Sequence, residues 1–167
     1  DKIYIENLIR NKKILKKLNS KFNIKYDNEG YFVYFIKSFK SNLNIKYGRL
    51  NYKTLIGLTG GSVLCNGNSS LVDEYPRLNF SCDINIEDKS KFLKKFAVAN
   101  TSKINELKLV IIGSINLLNK KINFTSIKTN TKYTANKEDL KFFKEKFENI
   151  LFDKNFFSIF KKKKMQN

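Results

Sequence analysis

The chain has 167 residues, 41% of them apolar and 14% aromatic, too much apolar material for a disordered chain and enough for one packed domain. Its formal charge is +18, yet of 33 basic residues only Arg10, Arg49 and Arg77 are arginine. Histidine is absent, which removes the commonest general base and metal ligand, and two cysteines cannot close a four-ligand zinc site.

No enzyme, cofactor or metal is therefore expected. The lysines travel with abundant Asn and Ile and a single Pro, a set with AT-rich codons, so genome composition accounts for much of the charge. A diffuse lysine surface still attracts anionic membrane or nucleic acid. No apolar run approaches the roughly 18 residues of a membrane-spanning helix. The chain opens on Asp1 without Met, which suggests a piece of a longer protein.

Residues 3–18 carry apolar positions near a helical period, interrupted at Lys12, and residues 1–20 are expected to form an N-terminal helical segment. From Phe22 the pattern becomes alternation. Phe22, Ile24 and Tyr26 share one face of a strand, with Asn23 and Lys25 on the other. Leu43, Ile45 and Tyr47 repeat this, as do Leu78, Phe80, Cys82, Ile84 and Ile86. "YFVYFIKSF" (31–39) is the richest aromatic run, readable as a strand covered on both faces, a base-stacking surface or a strand with lipid on one side. "DNEG" (27–30), "YGRL" (47–50) and "NGNSS" (66–70) read as turns, and "GLTGGS" (57–62) as a bend rather than a phosphate loop, since it lacks a Gly-Lys-Ser/Thr ending.

The clearest hairpin is "ELKLVIIGSINLLNKKINFTSIKT" (106–129). Leu107, Leu109, Ile111, Ile115 and Leu117 take one face, "LNKK" turns, and the chain returns through Ile122 and Phe124. Two helices follow strands. Asp88 can cap one presenting Phe92, Leu93 and Phe96. Asn136 can cap the other, with Glu138 and Asp139 in its first turn and a stripe of Leu140, Phe143, Phe147, Ile150 and Leu151. A strand-to-helix unit thus occurs twice, at 77–96 and 121–147, within a β-rich region spanning 21–160. The tail 161–167 contains Lys161, Lys162, Lys163 and Lys164, which can contact an anionic surface or mark a fragment boundary. The fold class expected is α+β: mainly an antiparallel β meander or curled, groove-like sheet, with two or three amphipathic helices.

Cys65 and Cys82 fall on the same apolar side of their strands. They can form a disulfide in an oxidising compartment, or serve as two small buried residues. The acidic pairs Glu87–Asp88 and Glu138–Asp139 read as helix-start residues and Asp73–Glu74 as a solvated turn. No catalytic residue is assigned.

The run "CNGNSSLVDEYPRLNFSCDINIEDKSKFLKKF", followed by "IIGSINLLNKKINFTSIKTNTKYTANKEDLKFFKEKFENILFDKNFFSIF", resembles the C-terminal part of AsmA-like proteins of double-membraned bacteria. "GSINLLNKKINF" is similar to that family's recurring strand-turn-strand element. The resemblance covers roughly residues 60–160. It implies a periplasmic β-rich body of a protein anchored in the inner membrane, placed among bridge-like lipid-transfer and outer-membrane-assembly proteins. The partners implied are phospholipid acyl chains and the envelope membranes. Phe80, Ile84, Leu109, Ile111, Ile115 and Phe124 are the expected lining of a lipid groove or of a closed core. Two other readings stand beside it: a basic nucleic-acid-binding module, against which the arginine shortage argues, and a structural scaffold whose core is sealed.

Overall fold

Seven strands, each antiparallel to the next in sequence, form one open sheet in the order β1 to β7. They are β1 (Asn19–Asp27), β2 (Ile36–Lys46), β3 (Arg49–Leu58), β4 (Gly61–Ser70), β5 (Arg77–Ile86), β6 (Leu107–Asn116) and β7 (Ile122–Thr129). The computed structural model describes residues 7, 11–27, 36–94, 105–130 and 133–152. Among these, the helices are α1 (Lys12–Lys17), α2 (Lys89–Lys94) and α3 (Lys137–Phe152).

The expected α+β class is corrected by this count. Two helices have six residues and one sixteen, against seven strands of eight to eleven residues. The architecture is a mainly-β meander with short helical attachments. The physical reason is the period of the apolar pattern: it is two along most of the chain, and a period of two builds strands. At the N-terminus, Asn11 caps α1 by accepting a hydrogen bond from Ile14 N at 3.3 Å, and the chain enters β1 at Asn19. The aromatic run 31–35, Phe96, the side chains of Phe147, Ile150 and Leu151, and the basic tail with Lys161–Lys164 lie outside what the structure describes.

Two turns also correct the sequence reading. "NGNSS" is not a turn but the second half of β4. Asn66 and Asn68 alternate outward, and Gly67 sits beneath the Tyr52 ring of β3. Tyr47 does not join the face of Leu43 and Ile45. It occupies the β2–β3 turn with φ 50°, followed by Gly48 at φ 80°. Two successive left-handed residues make the tight connection whose twist suits a hairpin. The glycine-rich stretch 57–62 holds the β3–β4 turn, where Gly60 takes φ 88°.

The registers segregate side chains with few exceptions. Phe22, Leu43, Tyr52, Gly67, Phe80, Gly113 and Phe124 form one continuous cross-strand row. Beside it run Ile24, Ser41, Thr54, Cys65, Cys82, Ile111 and Ile127, and then Tyr26, Phe39, Ile56, Val63, Ile84, Leu109 and Thr129. The opposite face carries rows such as Lys21, Asn44, Asn51, Asn68, Asn79, Ser114 and Asn123. One side of the sheet is mainly apolar, interrupted by Ser41, Thr54, Ser69 and Thr129; the other is asparagine, serine and lysine with a few aliphatics.

Candidate functional site

The apolar face is covered unequally. Over β6 and β7 it forms the main core, where Ile111, Ile122, Phe124 and Ile127 are buried and Phe80, Ile84, Ile115, Ala135, Leu140 and Phe143 pack against them. The cover is α3. Asn136 accepts a hydrogen bond from Asp139 N at 2.9 Å, and Asp139 accepts one from Asn136 N at 3.0 Å, a reciprocal cap that fixes where the helix starts. Ile122 N donates to Glu148 Oε1 at 2.8 Å, tying the helix back to the first residue of β7.

The two strand-to-helix units meet inside this core. Phe80 and Phe124, at equivalent places in "LNFS" and "INFT", have ring centroids 6.2 Å apart in an edge-to-face arrangement. Gly113 of β6 lies between them in register, and a Cβ there would come within 2.7 Å of Phe80 Cζ. The missing side chain is what lets the rings meet across a strand. Gly67 does the same for Tyr52, whose ring would lie 2.5 Å from an added Cβ. Burial pushes the Tyr52 phenol above its ordinary pKa.

The ends of the face are also closed. Leu15 of α1 is 1% exposed, and Tyr47 N donates to Leu18 O where α1 meets the β2–β3 turn. Leu71 is buried in the β4–β5 connection. At the other end Ile86 is 1% exposed, and α2 packs on Gly60 through Phe92. Asp88 caps α2 by accepting from Lys91 N at 2.9 Å.

Toward β1 no element among the described residues covers the face. Phe22, Ile24 and Tyr26 are 44%, 46% and 44% exposed, and their neighbours Leu43, Ile45, Leu50 and Tyr52 are half-buried. Three strands about 4.8 Å apart and seven residues at about 3.3 Å each give an uncovered apolar area of roughly 10 by 20 Å. Within it Ser41 and Thr54 share a hydrogen bond, their hydroxyl oxygens 2.7 Å apart, so the polar pair interrupting the face is internally satisfied.

Of the residues singled out from sequence, Phe80, Ile84, Leu109, Ile111, Ile115 and Phe124 all occupy this face, and all but Leu109 belong to the core under α3 or pack against it. Cys65 and Cys82 are direct cross-strand partners joined in a disulfide, their Cα atoms 4.1 Å apart. The uncovered half was missed as a site. Its signal was present in "FNIKY" and "LNIKY", but alternation alone cannot say which stretch a helix will cover. Among the described residues no cluster of carboxylates and thiols could hold a metal ion, and no helix is long and apolar enough to cross a membrane. The chain matches no family model, no curated protein and no solved structure.

Proposed function

We propose that this protein is a non-enzymatic envelope segment whose apolar sheet face holds phospholipid acyl chains and passes them along, in the manner of AsmA-like proteins. The observation that carries the reading is the β1–β3 half of the mainly apolar face, which no element among the described residues covers. A buried CH₂ contributes about 0.8 kcal/mol, so an acyl chain with one side against this surface gains roughly half that per methylene. About ten methylenes then give on the order of 4 kcal/mol, a millimolar grip. That is weak enough for exchange, which suits conduction better than storage. Headgroups stay in water beside the lysines of the polar face, whose positive charge favours anionic lipids. A periplasmic location in a protein anchored in the inner membrane belongs to the same proposal, and the Cys65–Cys82 bond supports an oxidising compartment.

The test is native mass spectrometry of protein purified without detergent and incubated with phosphatidylglycerol vesicles. Adducts of phospholipid mass are expected on the native chain and lost in a Phe22→Asn, Ile24→Asn, Tyr26→Asn variant of unchanged circular dichroism. A native chain that carries no lipid, or a variant that carries as much, supports the sealed-scaffold reading instead.

A further inference from the structure

The polar face contains a trough about 630 Å³ in volume, within the roughly 300–1,000 Å³ of small-ligand pockets. It runs across β3 to β7, on the side of the sheet opposite the proposed lipid surface. In a chain of charge +18 the trough has no charged side chain in its lining. Its polar lining is the amides of Asn51, Asn66, Asn68 and Asn79 with the hydroxyls of Ser81 and Ser114, and Tyr52, Gly67, Phe80 and Gly113 also border it.

The geometry points to a binding site for a neutral oligosaccharide. A primary amide offers two donors and an acceptor, which matches neighbouring hydroxyls that must both give and accept hydrogen bonds. Asn79 Nδ2 donates to Asn68 Oδ1 at 3.1 Å, which holds these two amides in a fixed relation and leaves Asn68 with both donors and Asn79 with its acceptor. Asn51 and Asn66 make no side-chain hydrogen bond among the described residues. Ile112, 42% exposed, supplies an apolar contact for the C–H face of a sugar ring. An irregularity in pairing completes the site. Ile112 faces Ser126 and Gly113 faces Phe124, so Thr125 is an extra residue in β7. Such a bulge bends a strand and re-aims a side chain, and here Thr125 lines the trough beside Ser126. No lysine or arginine is among the lining residues, although Lys53 stands opposite Asn66 at the edge, and the proposed ligand is therefore uncharged.

The test is a titration of ¹⁵N-labelled protein with maltotriose, cellotriose and triacetylchitotriose, followed by NMR. At least one is expected to give saturable shifts, in the roughly millimolar range, at the side-chain amides of Asn66, Asn68 and Asn79 and the backbone amides of Gly67 and Gly113. Asn66→Ala with Asn79→Ala, both exposed, should weaken binding tenfold or more, as should Thr125→Ala alone. The Phe22, Ile24, Tyr26 variant should bind sugar like the native chain, so the two faces succeed or fail separately. The proposal is overturned if none of the three sugars shifts the trough signals, or if the shifts survive both sets of trough substitutions. Tighter binding of a heparin disaccharide than of all three sugars also overturns it, since that would assign recognition to the lysines.

Discussion

Gly113 stands where two aromatic rings must pass, and its lack of a side chain is a packing requirement. Gly113→Ala drives a Cβ to 2.5 Å from the Asn123 backbone oxygen and 2.7 Å from Phe80 Cζ, against the core under α3. Overpacking of this kind costs about 1–3 kcal/mol, so urea denaturation should show a loss in that range. The Ser69 side chain has the opposite problem. Its hydroxyl is buried on the apolar side without a hydrogen-bond partner among the described residues. A buried hydroxyl without a partner costs on the order of 1–3 kcal/mol, and Ser69→Ala removes it while leaving the backbone pairing intact. A gain of about 1 kcal/mol is expected in the same denaturation experiment; a loss would mean that water or another group satisfies the oxygen.

At the scale of elements, α3 decides how much of the apolar face is closed, and its start is pH-dependent. Tyr133 donates its phenolic hydrogen to Asp139 Oδ2, which also accepts from Asn136 N. The Tyr133 hydrogen bond, and then that of Asn136, hold the Asp139 carboxyl below its ordinary value of 3.8, while the same bond to Asp139 raises the Tyr133 phenol above 10.0. Asp139 therefore stabilises the cap fully above its unfolded pKa, and the contribution is lost as pH falls through the lowered folded value. Tyr133 contributes fully below 10.0, and loses that contribution as pH rises through the raised one. An NMR titration of the Asp139 carboxyl carbon should give a midpoint below the ordinary carboxylate, moving up toward it in Tyr133→Phe. An unmoved midpoint would show that the tyrosine does not bear on the carboxyl.

The elements were legible to different degrees. Strands β1, β2 and β5 could be read from alternation, because strict period two over five or more residues has few other solutions, and β6 and β7 from the hairpin around "LNKK". The residues of β4 gave the wrong signal: Asn-Gly-Asn-Ser-Ser resembles a turn, and the Asn79 backbone oxygen and the Tyr52 ring, both too close for a Cβ at Gly67, explain why glycine is needed inside a strand. The helices were over-weighted. Asp88 and Asn136 mark helix starts correctly, yet a cap says nothing about length, and α2 is described for only six residues. Which half of the apolar face α3 covers depends on the chain path after β7, and no residue pattern within the strands encodes that.

For the whole molecule, the distribution of side chains between the two faces of one sheet governs everything proposed. The Cys65–Cys82 bond staples β4 to β5 near the middle of that sheet, between the covered and uncovered halves. Closing a loop of this size is worth about 3 kcal/mol by chain entropy. Reduction with dithiothreitol should lower stability by about that amount, while leaving the registers and thus the amphipathic surface in place. A reduced chain that loses its strand signal altogether would show the bond to be required for the fold itself.

The central claim is that acyl chains lie on the uncovered β1–β3 half of the apolar face. The most direct measurement is paramagnetic broadening of methyl NMR signals by a phospholipid carrying a nitroxide midway along its acyl chain. The account predicts broadening at Ile24, Leu43, Ile45 and Leu50, little at Ile122 under α3, and little at Leu55 and Val110 on the polar side. Broadening concentrated at Leu55 and Val110, or none at Ile24 and Leu43, would contradict it.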